Sequence, residues 1–354
     1  MAREYAPRGY LTRAEDVGEP LLTRARAERK NALVLELGAG TERGAFAAAA
    51  GAARRAGLDV YAWIEVGRDP AAAEEHPEWL TTPWHPEWLA AFPHWQASEE
   101  MMPAVAPWVS VHNRAVFDYA LGKIDALLGR LPAREALSGV LLNDVQSCPT
   151  GCGCGNPLCR SWDVSPGTKV APSPFTHTED YFTVRFVDAV AAAHPDLTII
   201  PVICSECEIG VTLGGIANPD LATGHCHGVT CGNPCGAVYY PGLVRALRPR
   251  PCVGLLSLYR EFQRDLPLYG SEAAWCAAIL DGYRQHNASG TVVSILQGWD
   301  VTPAQVEAQV AQADRGGADG HIVALMPIEQ SWWPVAVPRR ELHLEGHVCG
   351  AAPS

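Results

Sequence analysis

Short runs of near-continuous apolar residues, rich in β-branched side chains, recur along this chain and alternate with stretches whose hydrophobic spacing is helical. The runs are 32–37 (ALVLEL), 59–66 (DVYAWIEV), 108–112 (WVSVH), 139–145 (GVLLNDV), 197–204 (LTIIPVIC), 252–258 (CVGLLSL), 291–296 (TVVSIL) and 321–326 (HIVALM). Apolar runs this short and this continuous are expected of parallel strands covered on both faces. Between them, 44–56 is alanine-rich, 116–130 sets Phe117, Ala120, Leu121, Ile124 and Leu128 on one helical face, and 179–193 does the same with Phe182, Phe186 and Val190. Thr302 followed by Pro303 and then Gln305 reads as an N-cap, a first-turn proline and a capping-box partner, with Gly316 as the stop. Strand and helix alternating in this way predict an α/β chain folded as a (β/α)8 TIM barrel. Without 108–112, which follows a proline- and tryptophan-rich segment at 76–107, a doubly wound open sheet is the alternative.

A chain of 354 residues with 48% apolar and 19% charged residues has ample material for such a core. No repeat or linker divides it, so one barrel domain over 1–354 is expected, with loop insertions at about 67–107, 147–178 and 206–242. Loops that follow barrel strands lie on the catalytic face, and all three would crowd one rim. The net charge of −12 argues against a nucleic-acid partner. No stretch approaches a membrane span, and the opening residues lack a signal-peptide core, which predicts a soluble, cytoplasmic protein with no membrane partner. In that compartment the twelve cysteines are read as thiols or metal ligands. Lysine is scarce: Lys30, Lys123 and Lys169 stand against 24 arginines, a compositional bias.

The densest chemical signal is Cys148-Pro-Thr-Gly-Cys152-Gly-Cys154-Gly-Asn-Pro-Leu-Cys159. Glycines and a proline between the thiols permit tight turns, so four thiolates can converge tetrahedrally on Zn²⁺ at about 2.3 Å per bond. Four thiolates leave no position for water, and the expected zinc is therefore structural. A more diffuse cluster follows: Cys204 and Cys207, then His225, Cys226, His227, Cys231 and Cys235. A second metal site and reduced cysteines packed under a loop are equal readings of it.

Carboxylates recur at the C-terminal ends of the runs: Glu36, Glu65, Asp144, Glu206, Glu261, Asp300 and Glu329. Neighbouring carboxylates push each other's pKa values apart, which suits general acid–base or nucleophilic work. Aromatics accompany them, with Trp63, Tyr259, Trp299, Trp332 and Trp333 at the same ends and four more tryptophans between 79 and 95. Flat rings beside acids are what a sugar-binding cleft uses to stack apolar faces while bonding hydroxyls. The Gly38-Ala39-Gly40 segment after the first run is read as a βα turn in preference to a dinucleotide loop.

The run SGVLLNDVQ followed by CGCGNPLCRSWD, and the run AARRAGLDVYAWIEV, resemble segments of TIM-barrel glycoside-hydrolase-like proteins in which a strand ends in an acid and a cysteine knuckle follows. The resemblance covers roughly 30–165. It implies that Asp144, at the end of the fourth strand, is the nucleophile and that Glu206, after the fifth, is the proton donor. The chain departs from the pattern in having Ser138 before Gly139. It also has Asn143-Asp144, with Gln297 and Asp300 at the seventh strand, where some relatives have Asn-Glu and a seventh-strand glutamate.

The expectation is a glycoside-hydrolase-like enzyme acting on a small or oligosaccharide substrate. Asp144 serves as nucleophile or stabiliser, Glu206 or Glu261 as general acid, and Glu36, Trp63, Glu65, Tyr259, Trp299, Asp300, Glu329 and Trp332 as substrate contacts. Two other classes compete: a metal-dependent hydrolase or lyase built on the 204–235 cluster, and a non-catalytic barrel that binds a sugar or a partner. Elemental analysis of the purified protein separates the first two. About one equivalent of zinc per chain, whose chelation lowers thermal stability, is the expected result, and a second equivalent whose removal abolishes activity while sparing the fold would favour the metal-dependent enzyme.

Overall fold

The computed structural model describes residues 6–76, 109, 111, 114–132, 134–143, 145, 182–203, 225–227, 252–258, 273–286, 290–328 and 343–348. Among the described residues ten strands follow in chain order: β1 (Arg8–Thr12), β2 (Ala32–Glu36), β3 (Asp59–Glu65), β4 (Leu137–Asn143), β5 (Thr198–Ile203), β6 (His225–His227), β7 (Cys252–Ser257), β8 (Thr291–Gln297), β9 (Gly320–Ala324) and β10 (His343–Val348). The helices are α1 (Glu19–Ala27), α2 (Arg43–Arg55), α3 (Pro70–Glu75), α4 (Arg114–Gly129), α5 (Phe182–Ala193), α6 (Ala274–His286) and α7 (Pro303–Arg315). Strands β1-β2-β3-β4-β5-β7-β8-β9 form a closed barrel, parallel throughout from β1 paired on β2 to β9 paired back on β1. The expected (β/α)8 architecture is therefore present. A separate antiparallel ribbon joins β6 to β10.

The barrel's membership differs from the expectation by one strand. Run 108–112 is not a barrel strand, because β3 pairs directly with β4 from Val60↔Leu137 to Glu65↔Asn143 and leaves no gap between them. Within that run Val109 and Val111 are buried, and the Val109 N–H donates to the Gly67 carbonyl at 2.9 Å, just past the end of β3. The place is taken by Arg8–Thr12 (RGYLT), whose two consecutive apolar residues are too few to register as a run. Loop segments 147–178 and 206–242 lie outside the described residues apart from β6.

Alternation along each strand divides the core in two. Inward residues, among them Leu11, Val34, Trp63, Leu141, Ile200, Leu256, Ile295 and Ile322, fill the barrel. Outward residues such as Leu35, Ala62, Val140 and Leu255 pack under Phe46, Ile124, Phe186 and Trp275 of the surrounding helices. Phe117 of α4 meets Phe186 of α5 edge to face, with centroids 5.3 Å apart. Each fully buried aliphatic of this kind contributes roughly 1.5–3 kcal/mol. The capping box at α7 is present, Thr302 and Gln305 bonding reciprocally with Pro303 in the first turn. Gly316 is its C-cap, but the left-handed backbone falls on Gly317, at φ 82°. Gly316 is required for closeness: a Cβ there would stand 2.9 Å from Ala277 Cα of α6.

β4 lies close against its neighbours where it carries Gly139. A Cβ at that position would overlap the Thr198 carbonyl oxygen and come within 2.9 Å of the Tyr61 ring. Gly139→Ala is expected to destabilise the fold by about 2 kcal/mol or more, measured as a lower urea midpoint at unchanged m-value.

Candidate active site at the barrel mouth

Side chains that continue the inward-facing series beyond the apolar core form the mouth at the C-terminal ends of the strands. On β2 the series Ala32, Val34 ends in Glu36; on β3, Tyr61 and Trp63 end in Glu65; on β4, Leu141 ends in Asn143. The register sets Glu36 beside Trp63 and Glu65 beside Asn143. A cavity of about 200 Å³ opens here, lined by Glu36, Trp63 and Glu65 together with Leu37, Gly38, Ala39, Asp69, Ala71, Tyr119, Lys123 and Leu127.

Glu65 is held by both of its oxygens. The Trp63 indole N–H donates to Oε1 at 2.7 Å and the Asn143 amide donates to Oε2 at 2.8 Å. Burial raises the Glu65 pKa above the usual carboxylate range, and Glu36 adds to the rise, while the two hydrogen bonds and Arg68 pull against it without cancelling it. Trp63 itself is 1% exposed. Glu36 forms an ion pair with Arg13 at 3.2 Å, both side chains partly solvated, a contact of small energetic weight.

A second polar group borders the first. Asp69 precedes Pro70 and caps α3, accepting from the Ala72 N–H at 3.0 Å. Its other oxygen accepts from Lys123 Nζ at 2.6 Å and from the Tyr119 hydroxyl at 3.1 Å. Burial opposes ionisation of Asp69, but the Lys123 ammonium and these hydrogen bonds outweigh it, and its pKa falls below the ordinary value. Burial and the Asp69 charge push the Tyr119 hydroxyl up to about 12. Lys123 also donates to the Glu65 carbonyl at 3.3 Å, which ties α4 to the end of β3.

Of the residues read as site candidates in the sequence, Glu36, Trp63 and Glu65 share this cavity. Trp299 and Asp300 do not line it. Trp299 is buried within the barrel's inner cluster and its carbonyl accepts from Gln297 at 2.9 Å; Asp300 is exposed in the turn after β8, with φ 51°. Asp144, Glu206, Glu261, Tyr259, Glu329 and Trp332 lie outside the described residues. So do Cys148, Cys152, Cys154, Cys159, Cys204, Cys207, Cys231 and Cys235, while Cys226 has its backbone in β6. Among the described residues no three His, Cys, Asp or Glu side chains converge as metal ligands, and no described helix is long and apolar enough to cross a membrane.

The glycine segment after β2 behaves as a βα turn. Gly38 N–H donates to the Thr41 hydroxyl at 2.9 Å, and the Glu42 carboxylate caps α2 through the Gly44 and Ala45 N–H groups. The helix end that a phosphate would need is thus filled by the chain's own anion.

Asp69, Tyr119 and Lys123 were not among the site candidates read from the sequence, and Asn143 entered there only as the neighbour of Asp144. Two signals point to them. Asp69-Pro70 is a cap followed by a first-turn proline, and Tyr119 and Lys123 stand four residues apart on one helix face. Lys123 is moreover a rare lysine in an arginine-rich chain, placed where a compact ammonium with three donors is needed.

No protein-family model matches the sequence, and no curated protein matches it. Solved structures do. The β-galactosidase of the psychrophilic Marinomonas ef1 superposes with a TM-score of 0.50 at 11% identity, covering 90% of this chain and 54% of that one. This chain thus spans about half the length of that protein. The glycoside hydrolase domain of PelA from Pseudomonas aeruginosa gives 0.42 at 13% identity, covering 90% and 95%. The intracellular xylanase of Thermoanaerobacterium saccharolyticum gives 0.43 at 11%, covering 95% and 96%. At these identities the likeness is one of fold, and chemistry is read from the chain's own residues.

Glu65 carries a stability signature of its own. Because its folded pKa is raised, the native state binds the proton more tightly than the unfolded chain, and stability falls as pH rises from the ordinary glutamate range through the raised value. Glu65→Gln removes that cost. It is expected to raise Tm by on the order of 2 °C at pH 8, a gain that disappears near pH 4, as followed by calorimetry across pH.

Proposed function

We propose that this protein is a glycoside-hydrolase-like enzyme that cleaves a glycosidic bond of a carbohydrate or glycoconjugate at the barrel mouth. The observation that carries the reading is Glu65: a carboxyl of raised pKa, aimed by two hydrogen bonds, lining an open cavity at the C-terminal end of a barrel strand. A protonated carboxyl there supplies the general acid. As its proton passes to the glycosidic oxygen and the bond to the anomeric carbon breaks, the carboxylate left behind is already met by N–H donors from Trp63 and Asn143. Those two bonds strengthen as charge develops, so they favour the transition state over the ground state.

The second carboxylate of the pair is Asp144, which directly follows the Asn143 that holds Glu65. In this reading Asp144, which lies outside the described residues, serves as nucleophile or stabiliser of the oxocarbenium-like centre, and water completes the hydrolysis, returning a proton to Glu65. Glu65 therefore takes the acid role that the sequence assigned to Glu206 or Glu261. Cys148, Cys152, Cys154 and Cys159, which lie outside the described residues, would hold the expected zinc, which with four thiolates would be structural and take no part in bond cleavage.

A panel of aryl glycosides and natural oligosaccharides tests this. Glu65→Gln is expected to lower kcat about 10²–10⁴-fold on unactivated linkages, to spare 2,4-dinitrophenyl glycosides, whose leaving group needs no proton, and to abolish the alkaline limb of the pH profile. Asp144→Asn is expected to fail on both substrate types. Full activity of Glu65→Gln on an unactivated substrate would exclude the assignment.

A further inference from the structure

A carboxyl serves as an acid only while cations are kept from it, because an ammonium or guanidinium within about 4–6 Å favours the anion. Glu65 already has one such neighbour. Arg68 pulls its pKa down, and burial together with Glu36 outweighs that pull. A second cation stands in the same cavity: Lys123 lines it with Glu36, Glu65 and Asp69, and its Nζ lies 3.3 Å from the Glu65 backbone carbonyl. A flexible four-carbon stem lets an ammonium pivot between neighbouring acceptors, and the carboxyl of that same residue is one. Lys123 is instead bonded to Asp69 at 2.6 Å.

We propose that Asp69 is a positioning residue that acts through Lys123: it holds the ammonium at the backbone end of Glu65 and so keeps it from pairing with the carboxyl. Asp69 is well fixed for this task. It caps α3 through the Ala72 N–H at 3.0 Å, accepts the Tyr119 hydroxyl at 3.1 Å on the oxygen that also meets Lys123, and is 6% exposed. It is also ionised over the range in which Glu65 must keep its proton. Burial opposes the Asp69 charge, but Lys123 and the hydrogen bonds outweigh it and hold its pKa below the ordinary value. The other elements around Glu65 have their own polar contacts: Trp63 on β3 and Asn143 on β4 hold its oxygens, and Glu36 on β2 pairs with Arg13 at 3.2 Å. Which of two carboxyls Lys123 takes is therefore decided by the charge on Asp69.

The consequence for catalysis rests on the glycosidase reading, and a measurement without substrate keeps the two apart. Carbon-13 NMR of the Glu65 carboxyl in the full chain follows its titration directly. Asp69→Asn keeps a capping oxygen for Ala72 but removes the charge, and is expected to weaken proton binding by Glu65 about tenfold or more, as a newly paired cation does. Adding Lys123→Met removes the cation as well. The double variant is expected to return the proton affinity to within about threefold of the wild type, whereas a merely structural role of Asp69 leaves it as low as in the single variant. Tm reports the folding of both. In the wild type, with no variant needed, the Lys123 Nζ resonance, one of three lysine signals, is expected to move mainly with the Asp69 titration below the ordinary aspartate range, and this decides the matter if Asp69→Asn does not fold. Unchanged or tighter proton binding by Glu65 in Asp69→Asn, a double variant as weak as the single one, or a Lys123 resonance that follows Glu65 instead overturns the positioning role while the glycosidase reading stands. With an active substrate, the alkaline limb of Asp69→Asn moves to lower pH by the same factor, and an unmoved limb overturns the role too. Absence of hydrolysis on every substrate strikes the glycosidase reading, and the role of Asp69 is then decided by the titrations alone.

Discussion

Closure of the barrel depends on β1 finding two partners at once. Its five residues pair with β2 from Gly9↔Ala32 to Thr12↔Leu35 and with β9 from Arg8↔His321 to Leu11↔Ala324. The β1–β9 pairing is the one that an open sheet in chain order would lack, and it joins the first and last thirds of the chain. Gly9 makes this seam possible, for a side chain there would overlap the Ala32 carbonyl. Once the sheet is closed there is no free edge, and each strand end is carried to a fixed place on one rim.

The two ends of that closed sheet treat polar groups in opposite ways. At the N-terminal end, Tyr10 bonds Glu28, Glu28 pairs with Arg24 at 2.7 Å, and Lys30 lies 3.0 Å from the His321 ring nitrogen. Arg24 and Lys30 both sit over the Tyr10 ring. Burial, reinforced by Lys30 and Arg8, holds His321 neutral, with its pKa down at about 3. This network closes the wall between α1, β1, β2 and β9, leaving the His321 Nδ1 without a hydrogen-bond partner. At the C-terminal end, the Glu65 and Asp69 groups are just as firmly bonded, but they border a cavity. The same interactions that stabilise one end prepare the other for a ligand, as expected of a barrel whose stability and chemistry reside on opposite faces.

Much of this organisation is legible in the chain. Apolar runs locate seven of the eight barrel strands, the alternation within 59–66 already implies that Trp63 and Glu65 share a face, and Thr302-Pro303 with Gln305 marks a helix start that the structure retains. Reading failed where local pattern and tertiary role diverge. RGYLT has only Tyr10 and Leu11 as apolar signal because one inward position must be glycine and the strand is short. Run 108–112 has a strand's composition, yet the β3–β4 pairing excludes it from the sheet. Trp299 sits at a strand end like Trp63, but its ring belongs to the core.

By itself, the sequence determined the class of fold and the presence of acids at strand ends, because both follow from periodicities of two and of 3.6 residues that are local in the chain. Which acids meet was decided only by tertiary structure. Glu65 acquires its raised pKa from burial and from Glu36, a residue distant in sequence that ends the neighbouring strand β2. Asn143 holds it across 78 positions, and Lys123 reaches Asp69 across 54. No local pattern encodes such distances, since they are set by the register in which the barrel closes.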